Sequence, residues 1–90
     1  MLIRSQNKRI LINMNNVSSL EVSDNELRIF ADNGEAIYDI GEYSTKAKAI
    51  KALDMIQGAY CEFMAVKSDD MWNNGKESVF QMPEDSEVEV

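Results

Sequence analysis

The sequence predicts an α+β fold in which four to five antiparallel strands form a sheet packed against one amphipathic helix. Three observations carry this expectation. Leu27, Ile29 and Ala31 alternate with Arg28 and Phe30, the period of two that marks a strand with one buried face. Asn33-Gly34 follows, between two such runs, and this pair is the strongest short hairpin signal because both residues accept a positive φ. Further on, Ala49, Ile50, Leu53, Ile56, Ala59, Tyr60 and Phe63 recur at spacings of three and four, the apolar stripe of a helix. A sheet and a helix, each with one apolar face, bury both by packing together.

Taken in order, Leu2 to Ser5 and Ile10 to Asn13 flank the polar group Gln6-Asn7-Lys8-Arg9, which reads as a hairpin. Val17 to Ser23 is a third strand, with Leu20 and Val22 on one face and Glu21 and Ser23 on the other. Asp24-Asn25 is a turn, Glu26 to Ala31 a fourth strand, and Ala36 to Ile40 its partner across the Asn-Gly turn. Gly41-Glu42-Tyr43 closes this region, and Ser44 is placed to cap a helix running from Thr45 to about Phe63. Gly58 inside that helix costs on the order of 1 kcal/mol relative to alanine, which points to a close contact or a bend. Lys46, Lys48 and Lys51 occupy its first two turns, where the helix dipole disfavours positive charge by a few tenths of a kcal/mol each.

Residues 65–78 lack a period and read as a loop around Ser68-Asp69-Asp70 and Asn73-Asn74-Gly75. Val79-Phe80-Gln81-Met82 is a last strand stopped by Pro83, which cannot donate to a ladder. A single domain over residues 1–83 therefore precedes an acidic end, 84–90, which is either an edge strand with a charged face or a tail.

The composition narrows the function classes. With 44% hydrophobic and 28% charged residues the chain has globular rather than disordered character. Its longest apolar run is far short of the roughly 20 residues that cross a bilayer. The opening Met1-Leu2-Ile3-Arg4-Ser5 has no signal-peptide character, and Cys61 is the only cysteine, so a reducing host-cell cytoplasm is the expected location. The net charge of −7 is unevenly distributed. Residues 1–51 hold seven basic and seven acidic side chains, whereas residues 52–90 hold two basic and nine acidic. Acidic clusters repel nucleic acid and attract proteins that bind it.

The segments Ile3-Arg4-Ser5-Gln6-Asn7-Lys8 with Leu11-Ile12-Asn13, Ile40-Gly41-Glu42-Tyr43-Ser44-Thr45 leading into the helix, and Val79-Phe80-Gln81-Met82-Pro83 cover about half the chain. In them the chain resembles a set of short proteins of Gram-positive bacteria and their phages and prophages. The resemblance implies a mobile-element or phage origin and a strand-rich fold with one helix. It carries no shared activity or catalytic motif. The chain departs from the pattern in its short loop before the last strand and in its acidic finish.

Catalytic chemistry is poorly supplied. Histidine is absent, which removes the commonest general base near neutral pH and leaves a Ser or Cys nucleophile without its usual activator. Cys61, beside Tyr60 and near Phe63, reads as an inert packed thiol. Asp70 to Gln81 is faintly like a calcium loop but has Trp72 and Gln81 at ligand positions three and twelve, and a zinc site would need Cys and His clusters. No enzyme activity, cofactor or metal is expected.

The expected function is non-catalytic. A phage or mobile-element protein of this kind would bind and inhibit a host protein with a basic nucleic-acid-binding groove, such as a defence nuclease, in the manner of an anti-CRISPR. Carboxylates would stand in for phosphates, and the chain itself would bind neither nucleic acid nor membrane. The expected protein-binding residues are Asp69, Asp70, Glu77, Glu84, Asp85, Glu87 and Glu89, with Trp72 as an apolar anchor, since a loop tryptophan buries a large area with few rotatable bonds. The alternative is a structural module that self-associates through a strand edge or a helix face.

Overall fold

A computed structural model of the chain describes residues 1–31, 36–66 and 79–90. It is α+β, with one helix and two three-stranded sheets. The strands are β1 (Leu2–Arg4), β2 (Leu11–Asn13), β3 (Val17–Ser23), β4 (Glu26–Ala31), β5 (Ala36–Glu42) and β6 (Val79–Gln81), and the helix is α1 (Lys46–Val66). The single sheet of four to five strands expected from the sequence is replaced by two sheets, ordered β2-β1-β6 and β3-β4-β5. Nor are all pairs antiparallel: β6 runs parallel to β1, with Ile3 beside Phe80. The reason is connectivity. Alternation identifies a strand but not its neighbour, and β6 returns to β1 from the far end of the chain.

The turn between β1 and β2 is built by short polar side chains. Ser5 is buried, its hydroxyl donates to Asn7 Oδ1 at 2.7 Å, and it accepts from the Ile10 N–H at 3.1 Å. Asn7 Oδ1 also accepts from the Arg9 N–H. Lys8 takes φ 68° as the chain reverses, and its N–H closes on the Ser5 carbonyl. Thus Ser5 and Asn7 satisfy the backbone N–H groups of Lys8, Arg9 and Ile10 within the turn.

In the second sheet Ser23 faces Glu26 across a two-residue turn, and Asp24 holds φ 55° as the first position of a primed hairpin turn requires. Leu27 and Ile29 on β4 and Ile40 on β5 are buried, as their alternation demands. The β4–β5 turn at 32–35, with its Asn33-Gly34 signal, lies outside the described residues.

Thr45, rather than Ser44, caps α1: its Oγ1 accepts from the Lys48 N–H at 3.1 Å. Ala49, Ala52 and Ile56 are buried against the sheets, with Leu53, Ala59, Tyr60 and Phe63 partly so. Ile50, counted from its spacing on the buried stripe, is 43% exposed. Gly58 has open space where a Cβ would stand, so no close contact explains it. The core joins both sheets and the helix, since Ile3, Ile12 and Met82 belong to the same cluster as Leu27, Ile29 and Ile56.

The two sheets meet at Gln6. Its N–H donates to the Ile40 carbonyl at 2.8 Å, its Oε1 accepts from the Glu42 N–H at 2.9 Å, and its Nε2 donates to the Glu42 carbonyl at 3.0 Å. A side-chain amide thereby pairs with β5 as a strand residue would. Gln81 Nε2 donates to the Ser5 and Met82 carbonyls, tying together the ends of β1 and β6 within the first sheet.

Candidate functional site

The acidic end is held against the start of α1. Residues Asp85–Glu87 form a 3₁₀ turn, so 84–90 is folded where the sequence offered an edge strand or a tail. Val88 just beyond the turn is 2% exposed and belongs to the core. One valine of the acid-valine alternation therefore anchors the segment by burial.

Asp85 is the polar anchor. Its Oδ1 accepts from the Ser44 N–H at 2.7 Å, its Oδ2 lies 3.4 Å from Lys48 Nζ, and its backbone carbonyl accepts from the same ammonium at 3.1 Å. The Ser44 N–H, with Lys48 in support, holds the Asp85 carboxyl below the usual carboxylate range. The first turn of α1 contains no acid of its own. Asp85 supplies negative charge there from a distant part of the chain and offsets Lys48, one of the three lysines that the dipole alone would disfavour.

Beneath this turn lies Tyr43, 2% exposed. Its hydroxyl donates to the Pro83 carbonyl at 2.8 Å, and its backbone is tied to Asn25 in both directions, through Tyr43 N–H to the Asn25 carbonyl and Asn25 Nδ2 to the Tyr43 carbonyl at 2.6 Å. Burial first, and then the charges of Asp85 and Glu87, push the phenol up to about 12. Gly41 faces the same ring so closely that a Cβ there would meet it at 2.9 Å.

The residues expected to bind a partner thus separate. Asp85 is half-buried and internally bonded, whereas Glu84, Glu87 and Glu89 are exposed. Glu87 Oε1 also accepts from the Glu84 N–H at 2.8 Å, which stiffens the turn. Asp69, Asp70, Trp72 and Glu77 lie outside the described residues. Sequence reasoning did not single out Ser44 and Lys48 as partners of Asp85. The signal was Lys48 in the first turn of a helix that holds no acid there of its own.

Two clefts lie among the described residues. One, of about 250 Å³, is lined by Gln6, Asn7, Asp39, Ile40, Gly41 and Glu42. The other, of about 290 Å³, is lined by Met14, Leu20, Leu53, Ile56, Gln57, Tyr60 and Cys61 and is chiefly apolar. Cys61 is exposed on this second cleft and is not the packed thiol that its apolar neighbours suggested. Met82, in contrast, is core filler at 1% exposure. Among the described residues no group of three or more potential ligands is placed to hold a metal ion, and no helix is long and apolar enough to cross a membrane. No family model, curated protein or solved structure matches the chain.

Proposed function

We propose that the chain is a non-catalytic phage or mobile-element protein that binds and inhibits a host protein with a basic nucleic-acid-binding groove, a defence nuclease such as an RNA-guided effector being the partner class. The observation that supports this reading is the ordered presentation of acid. Glu84 and Glu87 are exposed on a turn pinned by Val88 and Asp85, and Glu89 is exposed just beyond Val88. Carboxylates on a fixed turn lose less conformational freedom on docking than carboxylates on a tail. Attraction between exposed groups is screened over about 8–10 Å at ordinary ionic strength, so binding weakens with salt.

The test uses Glu84→Gln, Glu87→Gln and Glu89→Gln together, with Asp85 retained so that the fold is kept. Host proteins captured from a Gram-positive lysate at low salt are identified, purified and titrated with both forms. Three rim ion pairs at about 0.5 kcal/mol each amount to about tenfold in affinity. Undiminished affinity in the triple variant removes the acidic end from the mechanism.

A second reading, self-association as a structural module, is favoured by Ile50 and Met64, which leave apolar side chains exposed on one flank of α1. Light scattering separates the two: a symmetric dimer supports the second.

A further inference from the structure

β3 is an edge strand, with β4 on one side. From Ser19 to Ser23 its register with β4 is continuous, Ser19 facing Phe30 and Ser23 facing Glu26. Ser23 and Glu26 close the turn as a hydrogen-bonded pair, so the alternation of an antiparallel ladder aims the N–H and C=O groups of Leu20 and Val22 away from β4. Among the described residues no strand pairs with that side, and Leu20 and Val22 make no backbone bond outside the sheet.

The two faces of this edge differ in chemistry. Leu20 and Val22 pack partly against the core on the helix side, and Leu20 borders the 290 Å³ apolar cleft. On the opposite face the row across the sheet reads Glu21, Arg28, Asp39. Arg28 is engaged by two other acids, Nε with Asp39 at 2.9 Å and Nη2 with Glu26 at 3.0 Å. Charge alternation along the row therefore ends at the edge on an exposed carboxylate, Glu21, beside which a cation would continue it.

We propose that the β3 edge takes up an extended segment of a partner protein by strand addition, a segment in which Lys or Arg lies between two apolar residues. Its backbone pairs with Leu20 and Val22, its cation sits opposite Glu21, and its flanking apolar side chains enter the cleft beside Leu20. The net charge of −7 favours a basic occupant over a second copy of this chain. This surface shares no residue with the acidic end, and its occupancy is independent of the triple glutamine substitution.

The probe is a capped peptide of alternating Val and Lys, titrated into the isotopically labelled chain and compared with a Val and Glu peptide and with a Val and Lys peptide N-methylated on the pairing edge. The expected result is that only the first peptide shifts the Leu20 and Val22 amides and protects them from exchange. Glu21→Lys then weakens it by about tenfold, as replacing one cross-strand attraction by a repulsion requires, and admits the acidic peptide. Absence of binding, equal affinity for the basic and acidic peptides, binding that survives N-methylation, or unchanged affinity in Glu21→Lys overturns the proposal. So does a dimer in light scattering whose Leu20 and Val22 amides are protected without peptide, because a second copy then fills the edge.

Discussion

The two sheets are alike in strand number and unlike in how the chain assembles them. β3, β4 and β5 follow one another in sequence and pair with their immediate neighbours. In the other sheet β1 at residues 2–4 is completed by β6 at residues 79–81, with the whole second sheet and the helix between. Each of its strands is three residues long, so its ladder contributes few backbone bonds of its own. Side-chain amides from Gln6 and Gln81 and the burial of Ile3 and Ile12 make up the difference. The first arrangement closes short loops and the second closes a long one, at a larger cost in chain entropy. Local pattern specifies the former, and the latter depends on the rest of the molecule being in place.

The largest effect that tests this contrast comes from matched truncations. Ile29 and Ile3 are both fully buried, and alanine at either should cost about 2–5 kcal/mol. The kinetics should differ. Ile29→Ala is expected to slow folding, because the local sheet forms early, while Ile3→Ala is expected chiefly to speed unfolding. Chevron plots in denaturant measure both, and equal partitioning in the two variants breaks the comparison. A smaller effect is expected at the seam. Gln6→Ala removes the amide that bonds both backbone groups of Glu42, and a loss of about 1 kcal/mol follows, since these exposed groups can turn to water. Hydrogen exchange at the Glu42 amide should rise more than at Ile29. If the two rise together, the sheets are joined by the core rather than by Gln6.

The same contrast decides what the sequence made legible. β3, β4 and the turn at Asp24-Asn25 are read from alternation and turn chemistry because each signal lies within a few residues. β1 and β2 are equally visible as strands, and so is β6, yet nothing in Val79-Phe80-Gln81 names β1 as its parallel neighbour. Ser44 and Thr45 both have capping side chains, and their roles are separated only in the structure, where Thr45 Oγ1 takes the Lys48 N–H and the Ser44 N–H meets Asp85. At the acidic end, charge predicts exposure for Glu84, Glu87 and Glu89. It misjudges Asp85, because a carboxylate that completes a helix start reads in sequence like its neighbours. The edge at Leu20 and Val22, which no strand among the described residues covers, was invisible for the opposite reason: every strand in the sequence has two edges until neighbours are assigned.

Asp85 gives the smallest of these effects and ties the long-range sheet to the helix. Asp85→Asn keeps an oxygen for the Ser44 N–H and loses the charge that faces Lys48, so melting at pH 7 should fall modestly. A carboxyl whose pKa is lowered by folding stabilises above its unfolded value of about 3.9 and loses that contribution as pH falls through the folded value. The melting gap between the wild-type chain and Asp85→Asn should therefore close on acidification below about pH 4. At the alkaline end the sign reverses. Tyr43 is pushed up to about 12, so the buried neutral phenol stabilises fully below its unfolded value of about 10 and progressively less as pH rises toward the folded one. Asp85→Asn removes one of the two charges that oppose the phenolate, and Tyr43 should then ionise at a lower pH in a spectrophotometric titration, with Tyr43→Phe identifying the signal. An unchanged titration would remove Asp85 from the causes beside burial and would show that the turn holds its acid away from the ring in solution.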